Sequence, residues 1–129
     1  MKIPSEIKYT PNDEWIRVEA NLGTIGISDY AQEQLSDIVY VEILVAEGDT
    51  IHKGDSIATL ESVKAAADVY SPASGKVVAI NDLLPDAPEN VNHDPYGEAW
   101  MIKIEVSDPS EVDALLDAAA YEAQLASKA

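Results

Sequence analysis

Ser56-Ile57-Ala58-Thr59-Leu60-Glu61-Ser62-Val63-Lys64-Ala65-Ala66-Ala67-Asp68-Val69-Tyr70 is the stretch on which the reading of the fold turns. Ser56 to Glu61 and Asp68 to Tyr70 read as the arms of a hairpin whose tip is Ser62 to Ala67. Lys64 lies ten residues after Gly54 and eleven before Gly75, midway between two flanking turns, where a strand, reversal, strand unit projects its side chain. A lysine in a polar turn is ordinarily just a solvated side chain. Here Val63 on one side and three alanines on the other present the amine without bulky neighbours. Another protein's active site can close over it, which makes Lys64 a candidate acylation target.

Reading outward, Glu47-Gly48-Asp49 and Lys53-Gly54-Asp55 are two Gly-Asp turns close enough together to suit a compact barrel or sandwich. Ser71-Pro72-Ala73-Ser74-Gly75 is a further turn, and Lys76 to Ile80 the strand that leaves it. Ile38 to Val45 is rich in β-branched residues and reads as a well-buried strand. Trp15 to Glu19 and Thr24 to Ile27 form a hairpin turning at Asn21, Leu22 and Gly23. Ser28 and Asp29 offer an N-cap to a short helix over Tyr30 to Leu35, with Gln32 spaced as in a capping box. Asn81 to Tyr96, with Pro85, Pro88 and Pro95, reads as a long irregular excursion of the kind that is often functional or mobile. Trp100 to Val106 returns as the last strand. Asp108-Pro109-Ser110-Glu111 is a helix start with Asp as cap, Pro in the first turn and Glu at N3. Asp117 recaps a second segment that buries Tyr121 and Leu125. The expectation is a mainly β chain forming a single domain over 1–129, with a β core at about 15–106 and a C-terminal helical segment at about 109–126.

The 129 residues hold 24 acidic and 8 basic side chains, a formal charge of −16, and 47% are apolar, enough to build a core. Such a field repels phosphate backbones and anionic lipid, so neither nucleic acid nor membrane is an expected partner; proteins or cationic groups are. The absence of cysteine excludes disulfides, thiolate zinc sites, iron–sulfur clusters and a cysteine nucleophile. No stretch approaches the roughly 18 apolar residues of a membrane span. Met1 to Glu6 is followed by polar residues rather than a signal-peptide core, so the chain reads as cytoplasmic, or as a mature form already relieved of its address.

Other chemistries find little support. His52 and His93 lack ligand spacing, and the Ser71 to Gly75 turn is not a nucleophile elbow. Gly23-Thr24-Ile25-Gly26 lacks the third glycine of a dinucleotide fingerprint, and no P-loop pattern occurs. Carboxylates are too numerous for any pair to mark acid/base catalysis. Nothing here points to an enzyme.

The segment Leu60 to Gly75 resembles the H-protein family of the glycine cleavage system. The likeness extends to Tyr9-Thr10-Pro11 with Glu14-Trp15, to Gly26 through Gln32, to Val91-Asn92 and Asp94-Pro95-Tyr96-Gly97-Glu98, and to Trp100 through Ile104, nearly the whole chain. Three positions depart from it: Asp13 stands where histidine is usual, and Ser36 and Ala99 where glycine is common.

The resemblance implies a flattened barrel-sandwich hybrid of the lipoyl/biotinyl-carrier kind with short peripheral and C-terminal helices. It also implies (R)-lipoate in amide linkage on Lys64, which removes the lysine's charge and adds a long arm. The chain is then a non-catalytic carrier with glycine decarboxylase, aminomethyltransferase and dihydrolipoamide dehydrogenase as partners, the lipoyl group being installed by a lipoate ligase or octanoyltransferase. The aminomethyl group of glycine passes from the pyridoxal-phosphate decarboxylase to the tetrahydrofolate-dependent transferase, and electrons pass to the dehydrogenase. In the family, acidic residues hold the cargo's amino group against the body, and Glu14 and Asp68 match those positions. Sheltering that cargo from water implies a cleft. By the same resemblance the chain is bacterial and cytoplasmic, or belongs to the mitochondrial matrix if it is a processed form. A relay of octanoyl or lipoyl groups to other enzymes uses the same lysine and is the alternative. A biotin carrier is less in keeping with Val63 and Ala65, since methionines commonly flank the lysine there. A small enzyme or an inert interaction domain sharing the hairpin completes the alternatives.

Overall fold

The computed structural model describes residues 1–128. Its elements run β1 (Lys8–Tyr9), β2 (Glu14–Glu19), β3 (Leu22–Ile27), α1 (Asp29–Leu35), β4 (Ile38–Ile43), β5 (Thr50–Ile51), β6 (Ser56–Ser62), β7 (Ala66–Tyr70) and β8 (Gly75–Ile80). After a 3-10 turn at Leu84–Asp86 come α2 (Asn90–His93), β9 (Ile102–Val106), α3 (Pro109–Asp113) and α4 (Ala118–Ser127). Six strands in the order β1-β2-β3-β9-β8-β5 make one sheet, and β4-β6-β7 make a second. All the pairings are antiparallel, and neither sheet closes on itself among the described residues. The core lies between the sheets: Ile16, Ile25 and Ile104 from the larger meet Val41, Leu60 and Val69 from the smaller. The mainly β fold and its short helices follow the sequence reading.

The first hairpin is tighter than expected. Glu19 pairs with Leu22, so Ala20 and Asn21 alone make the turn, both at positive φ (53° and 43°). Left-handed conformations at both central positions match the right-handed twist of the flanking strands. Leu22 and Gly23 therefore belong to β3, and Gly23 is there for closeness: a Cβ would lie 2.9 Å from Ile16 Cδ1. Gly75, too, opens a strand rather than serving a turn, because a Cβ there would run into the Glu105 carbonyl.

Strand β4 is shorter and less buried than its composition suggests. It is the edge of the three-stranded sheet and bulges between Ile38 and Tyr40, which turns Val39 and Tyr40 out to solvent. Ser28 alone caps α1, accepting from the Ala31 amide at 3.2 Å, while Gln32 reaches the Asp29 carboxylate (2.6 Å) instead of closing a capping box. Likewise Asp108 caps α3, but Glu111 turns away to take the Ser74 amide (2.8 Å) and hydroxyl (3.1 Å).

The excursion from Asn81 to Tyr96 is tied down rather than loose. Val91 and Leu84 are buried, and Asn92 accepts from the Ile38 amide (2.8 Å) while donating to Gln32 and the Ser36 carbonyl. A second apolar cluster of Ile7, Tyr9, Trp15, Tyr121 and Leu125 seats α4 beside β1 and β2. Tyr9 and Tyr121 stack there with centroids 4.4 Å apart and planes 2° from parallel. Asp117 caps α4 by accepting from the Ala120 amide at 2.8 Å.

Candidate functional site

The β6–β7 hairpin ends in a turn smaller than the sequence suggests. Glu61 pairs with Ala66, leaving Ser62 and Ala65 to flank Val63 and Lys64 at the apex. Ser62 builds that apex. Its backbone amide donates to the Ala65 carbonyl (2.8 Å), and its hydroxyl accepts from the amides of Lys64 (3.1 Å) and Ala65 (2.9 Å). The Val63 amide donates to the Asp37 carbonyl at 3.0 Å, bracing the turn against the chain leading into β4. Lys64 and Val63 are exposed, and among the described residues no carboxylate lies within ion-pair distance of the Lys64 ammonium. Val63, 69% exposed, stands beside the amine without contributing to the core.

A cavity of about 190 Å³ opens beside this hairpin. Asp13, Glu14, Ala67 and Asp68 line it, with Ile27 and Leu60. Its lining is mostly apolar, with carboxylates placed to meet a cation. The structure thus brings Glu14 and Asp68 to one cavity, and β7 carries Asp68 up the same hairpin whose turn bears Lys64, four residues away. Lys64 itself is not among the lining residues.

The two carboxylates differ in kind. Asp68 is exposed, with the Tyr70 hydroxyl donating to it at 3.4 Å. Glu14 is 3% exposed. Its Oε1 accepts from the Thr10 hydroxyl at 2.5 Å and its Oε2 from the Tyr70 amide at 3.2 Å. Burial pushes the Glu14 carboxyl above the ordinary carboxylate range, and these two donors pull it partly back. A carboxylate buried this way has spare lone pairs and little water, so an ammonium entering the cavity meets it with weak screening.

Thr10 is a site residue that sequence reasoning passed over. Besides holding Glu14, its hydroxyl accepts from the amides of Asn12 (3.1 Å) and Glu14 (3.2 Å), shaping the turn that presents the carboxylate. The signal was a threonine and a proline four and three residues before the acid, a side-chain-capped turn. Asp13 was noted only as a departure from a motif, yet it lines the cavity and sits at φ 72°. His52 and His93 are exposed, and no group of three or more His, Cys, Asp or Glu side chains among the described residues is arranged to hold a metal. No helix among them is long and apolar enough to cross a membrane.

Comparison with known proteins covers nearly the whole chain. The model of the family described as glycine cleavage H-protein matches residues 7–128. A glycine cleavage system H protein from Anaeromyxobacter sp. strain K is 51% identical over 123 residues, covering 95% of each chain. One from Cronobacter sakazakii is 53% identical over 124 residues, again covering 95% of each. Among solved structures, a glycine cleavage system H protein from Mycobacterium marinum superposes with a TM-score of 0.87 at 33% identity, over 96% of this chain and 99% of that one.

Proposed function

The chain belongs to the glycine cleavage H-protein family of lipoyl carriers, and on that premise we propose that Lys64 bears (R)-lipoate in amide linkage and that Glu14 and Asp68 hold the amino group of the glycine-derived cargo. The observation that carries this reading is the hairpin itself, which puts an exposed, unpaired lysine at its apex and one wall of an acid-lined cavity on its descending strand. From Lys64 to Ala67 is at most about 10 Å of chain even if fully extended, a distance that the lysine stem and the lipoyl chain together span.

The residues fit the group. A lysine at a braced two-residue apex can enter another enzyme's active site for acylation by a lipoate ligase or octanoyltransferase, and the Ile27 and Leu60 side chains suit an aliphatic chain lying back in the cavity. When bound, lipoate supplies the sulfur chemistry: a disulfide that accepts the aminomethyl unit of glycine and a dithiol that is later reoxidised. The chain's own part is positional. Ser62 and Asp37 aim the lysine, Ile27 and Leu60 keep water from the cargo, and Glu14 with Asp68 favours the protonated amine.

The partners are glycine decarboxylase, aminomethyltransferase and dihydrolipoamide dehydrogenase, visited in turn, and all bond-making belongs to them or to the arm. Tethering raises the arm's effective concentration at each docked enzyme, while the short turn fixes where its swing begins. The relatives named above are bacterial, which supports a cytoplasmic setting, and the chain acts as one domain. Intact mass of protein from lipoate-replete cells tests the reading. A lipoyl adduct located at Lys64 and lost in Lys64→Arg is the expected result; bare protein from such cells overturns it.

A further inference from the structure

We propose that helix α4, through the Tyr121 hydroxyl, is a positioning element for the arm cavity, holding in register the two chain segments that wall it. This rests on the reading that the cavity shelters the loaded arm.

Tyr121 is fully buried, and its hydroxyl donates to Asp13 Oδ1 at 2.8 Å and lies 2.6 Å from Ser28 Oγ. A phenol has one proton to give. Because the carboxylate takes it, the Ser28 hydroxyl is the donor to Tyr121, and the chain of bonds runs from Ser28 through Tyr121 to Asp13. Burial raises the Tyr121 hydroxyl well above the ordinary phenol range, so it remains a donor at all physiological pH.

One end of that chain lines the cavity, and the other caps a helix that does. Asp13 lies in the turn that delivers Glu14, and Ser28 caps α1, which contributes Ala31 and Leu35 to the lining. The Ser28 amide also donates to the Asp13 carbonyl at 2.8 Å, so the two walls meet where Tyr121 grips them. Asp13 needs gripping: at φ 72° it sits in the left-handed region without being glycine. A second side chain of the same helix reinforces the contact, Gln124 donating to the Pro11 carbonyl at 3.2 Å. The stack on Tyr9 fixes the ring that carries the hydroxyl. Residues 108 positions apart are thereby made parts of one wall.

Tyr121→Phe in the lipoylated full chain tests this, because it keeps the stacked ring and removes only the hydroxyl. Two readouts are compared with wild type: hydrogen exchange of the Ser28 and Glu14 amides by NMR, and loss of aminomethyl to solvent after loading with glycine and glycine decarboxylase. Exchange and loss are each expected to quicken roughly two- to tenfold, the range one hydrogen bond commands, with lipoylation unchanged. If Tyr121→Phe fails to fold, Gln124→Ala carries the same expectation at the lower end of that range. Wild-type exchange and wild-type decay, in a background where Glu14→Gln does hasten decay, overturn the role of α4 and leave the cavity reading standing. Wild-type decay in Glu14→Gln and Asp68→Asn as well overturns both.

Discussion

Replacing Thr10 by valine changes almost nothing in shape and removes the hydroxyl on which Glu14 depends. Thr10 is 6% exposed and Glu14 3%, so water cannot readily take the hydroxyl's place. Three hydrogen bonds go: the one donated to Glu14 Oε1 and those accepted from the Asn12 and Glu14 amides. The Asn12 amide is near solvent and rehydrates, whereas the buried carboxylate loses the one side-chain donor it has among the described residues. A hydrogen bond to a charged group is worth about 1.5–3 kcal/mol, and its loss lowers the melting temperature of a domain this size by roughly 5–12 °C. The loss depends on pH with a definite sign. Burial already raises the Glu14 carboxyl, so the folded state holds its proton more readily than the unfolded state, and stability falls as pH rises from the ordinary carboxylate range through the raised value. Removing a donor that lowers that value widens the window, so Thr10→Val costs more at about pH 8 than at about pH 5. Urea unfolding of wild type, Thr10→Val, Glu14→Gln and the double variant at both pH values measures this. An equal cost at the two pH values, a cost below about 0.5 kcal/mol, or no coupling between the substitutions refutes the reasoning.

Glu14→Gln and Asp68→Asn leave lipoylation intact and hasten solvent loss of the aminomethyl group, Glu14→Gln more, because its carboxylate is the buried one; decay followed by released formaldehyde decides it. In wild type the protection weakens as pH falls through the raised Glu14 value, since the neutral carboxyl no longer attracts the ammonium, and a pH series of the same decay shows whether it does. Ser62→Ala removes the acceptor for the Lys64 and Ala65 amides and slows acylation of Lys64 by roughly two- to tenfold with little change in global stability; single-turnover lipoylation by mass spectrometry measures it. Gly26→Ala sets a Cβ 2.9 Å from the Trp15 ring, which must shift at a cost of about 1–3 kcal/mol, and tryptophan fluorescence with denaturant unfolding reports the displacement.

What was legible in the sequence was local. The hairpin that carries the lysine and the caps at Ser28, Asp108 and Asp117 rest on neighbours a few residues apart, and so does the return strand, expected from Trp100 and found over Ile102–Val106. The errors share one physical source. Gly23 and Gly75 look like turn residues, but what demands them is another strand's side chain or carbonyl, which no local pattern announces. Gln32 and Glu111 stand at capping-box spacing yet spend their side chains on Asp29 and Ser74. The β-branched run at Ile38 to Val45 says strand; only the sheet order says edge, and hence half-exposed and ending at Ile43. At the site, Glu14 and Asp68 were matched through family likeness, since nothing near either one reveals that the two face a common space. The grip of Tyr121 on Asp13 spans most of the chain and was invisible until the helix was seen to fold back.

The brevity of the lysine turn sets a limit on how this carrier can be altered. With Val63 and Lys64 alone at the apex and Ser62 and Asp37 bracing it, the polypeptide contributes no slack to the swing, so on the proposed attachment at Lys64 all the freedom of the cargo resides in the prosthetic arm. A residue inserted there and taken up by the strands rather than by the turn would shift the pairing by one and turn Asp68 from one face of the sheet to the other. Reach in such a molecule is thus a property of the appended chemistry, and aim a property of the protein, and only the second is open to mutation.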